Sequence, residues 1–80
     1  MTYTEVVSER IVQYCKEKDI SYHKLAILSG LGSSTIDNIV KKNTKVPNLR
    51  SVHRIAQGFD MTISEFLNFP AMNETEFDDE

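Results

Sequence analysis

The feature that most constrains this chain is a pair of glycines set between two helical stripes, in Leu25-Ala26-Ile27-Leu28-Ser29-Gly30-Leu31-Gly32-Ser33-Ser34-Thr35-Ile36-Asp37-Asn38-Ile39-Val40. Leu25 and Ala26, with Leu28 and Ser29 three residues on, give the first stretch a packing face. Ile36, Ile39 and Val40 give the second the same i, i+3, i+4 stripe. A glycine directly after a helical pattern takes positive φ because it has no Cβ to clash. One helix is therefore expected to stop at Gly30, Leu31 to tuck beneath the corner, and small Ala26 to let the next helix cross close by. Two short helices joined at a steep angle by a glycine turn form a helix-turn-helix.

The second helix has a face that the core does not need. At about 100° per residue, Ser34, Asn38 and Lys41 lie opposite the apolar stripe, with Ser33, Asp37 and Lys42 beside them. Serine and asparagine bond to base edges, and asparagine matches the paired donor and acceptor of adenine. Any solvated helix face looks similar in composition, so the corner carries more weight than the face.

Eighty residues make one small domain with a single modest core. Two prolines, three glycines and no sustained period-two alternation favour an all-helical fold. Cys15 continues the stripe of Ile11 and reads as a small buried hydrophobe. Cys15, His23 and His53 do not offer a structural metal set, so no metal or cofactor is expected. No signal pattern or membrane-length apolar run is present, which makes the cytoplasm the default location. The net charge of −3 hides an asymmetry. Residues 1–60 carry nine Lys/Arg against six Asp/Glu, whereas residues 61–80 carry six acids and no base. From Asn38 to Phe59 five basic residues (Lys41, Lys42, Lys45, Arg50, Arg54) meet no acid. A basic stripe just downstream of the spare helix face is what neutralising a phosphate backbone requires.

Thr2-Tyr3-Thr4-Glu5 has capping-box spacing, so a first helix starts near Tyr3, with Val7, Ile11 and Cys15 inward and Tyr14 alongside. Ile20 enters the core and Ser21 caps the next helix. The amides at that helix start suit a phosphate, helped by the Tyr22 hydroxyl and the Lys24 charge; His23 reads as a surface residue there. Lys41 and Lys42 complement the negative end of the second helix of the corner. Pro47 suits the first turn of a helix from Asn48 to about Gln57, with Leu49, Val52, Ile55 and Ala56 inward and Gly58 as its stop. Thr62-Ile63-Ser64-Glu65 opens a short fifth helix that Pro70 closes. Residues 71–80 read as an acidic tail, expected to be disordered.

This order of parts resembles the Xre-type branch of the lambda-repressor/Cro-like DNA-binding domains over about residues 7–68. The likeness is carried by Ile20-Ser21, Leu25-Ala26, Gly30-Leu31, Ser34-Thr35-Ile36, Ile39, Pro47 and Met61-Thr62-Ile63-Ser64-Glu65-Phe66-Leu67. The resemblance implies an all-α, compact five-helix domain over residues 1–70, its helix-turn-helix formed by helices 2 and 3. It also implies a sequence-specific transcriptional regulator, a repressor, acting on a double-stranded DNA operator as a homodimer. The third helix, Ser33 to Lys41, would lie in the major groove, with Ser33, Ser34 and Asn38 as base readers. Tyr22, His23, Lys45 and Asn48 become phosphate contacts by matching position, and Lys24, Lys41 and Lys42 adjoin them.

The chain departs from the family's pattern at three places. Tyr22 stands where glutamine is usual. Gly32 stands where serine or threonine usually caps the third helix, at a cost of only a few tenths of a kcal/mol. Lys42 stands near a usual glycine, so Lys42 or Asn43 must take the turn. Serines reach less far than the family's frequent glutamine or arginine, so phosphates and DNA shape are expected to carry a larger share of specificity.

No acid–base pair, phosphate loop or nucleophile set has a usable context, so an enzyme is not expected. The rival reading is a protein-interaction module on the same fold, antitoxin-like or a regulator's partner. It draws on the net acidity and on a tail that could meet a protein or fold over Lys41, Lys42 and Lys45. Phe59, Phe69, Met72 and Phe77 are candidates for a dimer surface, with Phe59 read rather as core.

Overall fold

A computed structural model describes residues 1–43 and 47–77. Helix α1 spans Tyr3–Lys18, α2 Tyr22–Ser29, α3 Ser33–Val40, α4 Leu49–Gly58, α5 Ile63–Leu67 and α6 Pro70–Asn73. The five expected helices are present, and a single-turn sixth follows them. No described helix is long and apolar enough to cross a membrane. No three His, Cys, Asp or Glu side chains among the described residues converge on a metal position.

Local signals set the starts of these helices. Thr2 and Glu5 form a reciprocal capping box, with Thr2 N–H donating to Glu5 Oε1 at 2.9 Å and Glu5 N–H donating to Thr2 Oγ1 at 3.3 Å. Thr62 and Glu65 repeat it at α5 with 2.8 and 3.1 Å. Ser21 accepts from Lys24 N–H at 3.0 Å and Asn48 from Ser51 N–H at 2.8 Å. Asn48 is thus the cap of α4 and Leu49 its first residue. Pro47 precedes the helix rather than opening it.

The helix ends share one closure. After each of α1 to α4 a residue turns left-handed and two N–H groups fold back, the pattern of a Schellman motif. Asp19, Gly30, Lys42 and Asp60 take φ of 53, 74, 63 and 61°. The residues after them donate to Cys15, Ala26, Asn38 and Ala56 at 3.0, 3.1, 2.9 and 2.9 Å. Three of these closing partners, Ile20, Leu31 and Met61, pack against the core, as such motifs favour. The fourth, Asn43, is polar and exposed.

The core joins Val7, Ile11 and Cys15 of α1 to Leu25, Ala26, Ile36, Ile39, Val52, Ile55, Ala56, Phe59 and Phe66, all buried. Phe59 and Phe66 stack at 6.2 Å, with Tyr14 at 5.5 Å from Phe59. Arg10 ties α5 and α6 to α1. Its Nε donates to Phe66 O at 3.2 Å, and its guanidinium lies 4.1 Å from the Phe69 ring centre and 4.5 Å from that of Tyr14. Every buried side-chain polar atom among the described residues has a partner.

Several positions differ from the sequence expectation for tertiary reasons. Gly58 does not stop α4 but is its last helical residue, and the left-handed turn falls on Asp60. A Cβ at Gly58 would lie 3.0 Å from Leu25 Cδ1 and 3.3 Å from Ser29 N, so the glycine is where α4 presses on α2. Leu28 is 48% exposed because the buried arc of α2 centres on Leu25, Ala26 and Ser29. Leu49, expected inward, is 69% exposed, because the buried arc of α4 is formed by Val52, Ile55, Ala56 and Gly58. Pro70 does not close α5, which ends at Leu67 with Asn68 as its cap; it opens α6 instead, where its missing N–H costs nothing.

The segment expected as an acidic tail from residue 71 lies against the domain as far as Phe77. Thr75 Oγ1 donates to Ala71 O at 2.8 Å. Glu76 N–H donates to Met1 O at 2.8 Å, forming a single parallel bridge with Thr2, and the Phe77 ring sits 5.9 Å from that of Tyr3. Asp78, Asp79 and Glu80 lie outside the described residues.

Candidate nucleic-acid interface

The corner between α2 and α3 forms as its residues dictate. Gly30 takes φ of 74°, and Leu31 N–H reaches Ala26 O at 3.1 Å. Gly32, by contrast, is ordinary extended backbone with φ of −71°, so only the first glycine is needed for the turn. Gly32 carries no side-chain cap, and its carbonyl accepts from Thr35 and Ile36 N–H at 3.0 and 3.2 Å. The guanidinium of Arg54 closes over the corner, its Nη1 3.0 Å from where a Cβ on Gly30 would stand.

α3 is two-sided. Ile36 and Ile39 are buried beneath it, while Ser33, Ser34, Asp37, Asn38, Lys41 and Lys42 are all exposed. No described element covers that outward side. Its C-terminal end is fixed by Ser8 of α1, whose Oγ donates to Val40 O at 2.8 Å. There Lys42 stands close enough to Glu5 to add to the pull on its carboxyl. Glu5 is held below the usual carboxylate range first by the Thr2 backbone bond, then by the Thr2 side chain, with smaller help from the N-terminus and Lys42.

The start of α2 adjoins the start of α3. His23 Nδ1 lies 3.1 Å from Ser33 Oγ. His23 and Lys24 are exposed, and Tyr22 is half-buried with its ring packed on the core. The amides of Tyr22 and His23 precede the first intrahelical bond, from Leu25 N–H to Ser21 O at 3.0 Å, and such amides suit an anion.

The fold thus joins His23 of α2 to Ser33 of α3 and leaves Ser34 and Asn38 exposed on α3, with Lys41 and Lys42 exposed at its far end; Lys24 is exposed on α2, and Tyr22 packs toward the core. Asn48 is exposed, and its side-chain oxygen is engaged in capping α4. Lys45 lies outside the described residues. Two features escaped the sequence: the His23–Ser33 pair and the seat of Arg54 on Gly30. Neither has a local signature, since the partners are brought together only by the corner.

A family model described as the Cro/C1-type HTH DNA-binding domain matches residues 10–71. The chain is 29% identical over 73 residues to the HTH-type transcriptional regulator SinR of Bacillus licheniformis, which covers 91% of this chain and 64% of that protein. The chain therefore spans a little under two thirds of that relative's length. The crystal structure of the prophage Lp1 protein 11 shares the fold, with a TM-score of 0.78 over 90% of this chain and 95% of the other at 24% identity. The matched family segment runs from within α1 into α6 and contains the whole corner. This chain belongs to the Cro/C1-type helix-turn-helix DNA-binding domain family.

Proposed function

We propose that the chain is a sequence-specific regulator of transcription, a cytoplasmic repressor that lays α3 in the major groove of a double-stranded operator. The observation that carries this is the two-sidedness of α3: Ile36 and Ile39 anchor it while Ser33, Ser34 and Asn38 face outward. In this role the three outward residues read base edges. The helix start at Tyr22, His23 and Lys24 grips phosphate on one side, and Lys41, Lys42, Lys45 and Asn48 do so on the other. A homodimer on a two-fold site would set two α3 helices about 34 Å apart. Of the four dimer candidates, Phe77, which is 75% exposed, is the most open, since Phe59 is core, Phe69 is stacked by Arg10 and Met72 is partly buried against the core.

Selection of bound fragments from a random DNA pool, followed by titration of the winners across salt, tests the proposal. A shared palindromic sequence and a steep fall of affinity with salt are expected. Recovery of no enriched sequence, with a flat salt response, favours the protein-interaction reading instead.

A further inference from the structure

We infer that Asp37 is a specificity-determining residue that selects cytosine at one operator position and turns away guanine and thymine there; this rests on the DNA-binding reading above. Between Asp19 and Asp60 the chain has six Lys/Arg (Lys24, Lys41, Lys42, Lys45, Arg50 and Arg54) and one acid, Asp37. That acid is exposed and sits on α3. At about 100° per residue, the direction opposite buried Ile36 and Ile39 runs close to Ser34 and Lys41. Asp37 and Asn38 stand about 50° to either side of it. The carboxylate therefore shares the outward side of α3 with the asparagine, and a groove that receives one receives the other.

Neither capping nor packing accounts for an acid at this place. Gly32 is the N-cap and the first turn of α3 holds no acid, so Asp37 lies beyond the span where a helix dipole favours negative charge. It is outside the buried core, and aspartate is among the weaker formers of a helix interior. Brought against a polyanion, it is repelled unless a donor meets it. An ionised carboxylate only accepts hydrogen bonds. In the major groove the donors are the amino groups of cytosine and adenine, and adenine sets the acceptor N7 beside its own. Guanine presents O6 and N7, and thymine presents O4, all acceptors. Cytosine N4 therefore suits the carboxylate best, and exchanging C·G for G·C at that position replaces a donor by two acceptors. Asp37 also precedes Lys41 by four residues, the spacing of a surface ion pair. Such a pair changes affinity for every sequence together and leaves the ratio between operators alone.

The test takes an operator selected by the intact chain and remakes it with each base pair at every position. The unaltered chain, Asp37→Ala and Asp37→Asn are titrated on the whole set at one salt concentration. The unaltered chain should prefer cytosine to guanine by about tenfold or more at one position. In Asp37→Ala that ratio should fall to near one while the ratios at all other positions stay. Asp37→Asn keeps the size and gains a donor, so it should lose the same ratio by binding the guanine variant more tightly. A rise on every sequence alike would make Asp37 a surface charge only, and a fall on every sequence alike would make it a support for Lys41 or for the helix. Either result overturns the proposal, as does an unchanged profile. Failure of the unaltered chain to bind any selected sequence would instead overturn the DNA-binding reading, and this assignment with it.

Discussion

Ser8 Oγ donates to the carbonyl oxygen of Val40 across 2.8 Å, so the buried side of α1 closes the C-terminal end of α3. The last carbonyls of a helix have no intrahelical donor, and Ser8, only 2% exposed, supplies one where water has little access. Ser8→Ala should cost about 1–3 kcal/mol, because it strands that carbonyl as well as losing the bond. Urea denaturation with an unchanged slope checks it. A loss near zero would mean that water replaces the hydroxyl.

Lys42 holds a left-handed conformation with φ of 63° to close α3. A residue with a Cβ pays about 1 kcal/mol there, so Lys42→Gly should stabilise the fold by roughly 0.5–1 kcal/mol. The same change removes a cation beside the outward face of α3. Affinity should fall alike on every sequence, and the slope of log K against log salt should flatten by about one. Thermal melts and salt titrations of one variant read both effects, and a loss confined to one base position would contradict the phosphate role.

Gly58→Ala sets two effects against each other. Alanine in a helix is favoured over glycine by about 0.8–1 kcal/mol. The added methyl would stand 3.3 Å from Ser29 N, part of the α2 backbone, and 3.0 Å from Leu25 Cδ1. Overpacking of this kind costs about 1–3 kcal/mol, and backbone yields less readily than a side-chain tip. Net destabilisation is expected in chemical denaturation, and a gain in stability would show that α2 and α4 separate easily.

Glu5 and Glu65 both have carboxyls held below the usual range, first by the backbone bond from Thr2 or Thr62 and then by the threonine side chain. A carboxyl lowered on folding adds stability that is fully present above its unfolded value, about 4.3 for glutamate. That stability is lost as pH falls through the lower folded values. Melting temperature should therefore decline below about pH 4.3. Glu5→Gln together with Glu65→Gln should flatten that part of the profile, and an unchanged profile would place the acid sensitivity elsewhere.

Much of this architecture was legible because its signals are local. Thr2 with Glu5, Ser21 before Tyr22, Thr62 with Glu65, and Gly30 after a helical stripe each pair a requirement with its answer within a few residues. What sequence spacing missed depends on where other elements lie. Gly58 reads as a stop until Leu25 and Ser29 are seen against it. Leu28 and Leu49 fit apolar stripes, but spacing does not say which part of a stripe forms the buried arc. Pro70 can close one helix or open the next, and the extended Phe69 before it decides for opening. At the candidate site the exposure of Ser33, Ser34 and Asn38 followed from periodicity. The link from His23 to Ser33 did not, because it joins two exposed side chains across the corner.

The most direct measurement is the affinity of Asn38→Ala against the wild-type chain on a selected operator and on every single-base variant of it. Asn38 stands exposed on α3 one residue before buried Ile39, so its removal should leave the fold intact. If the outward side of α3 reads bases, the variant loses about 1–3 kcal/mol on the selected operator and no longer discriminates at one base position. An equal loss on every sequence, or none, would contradict it.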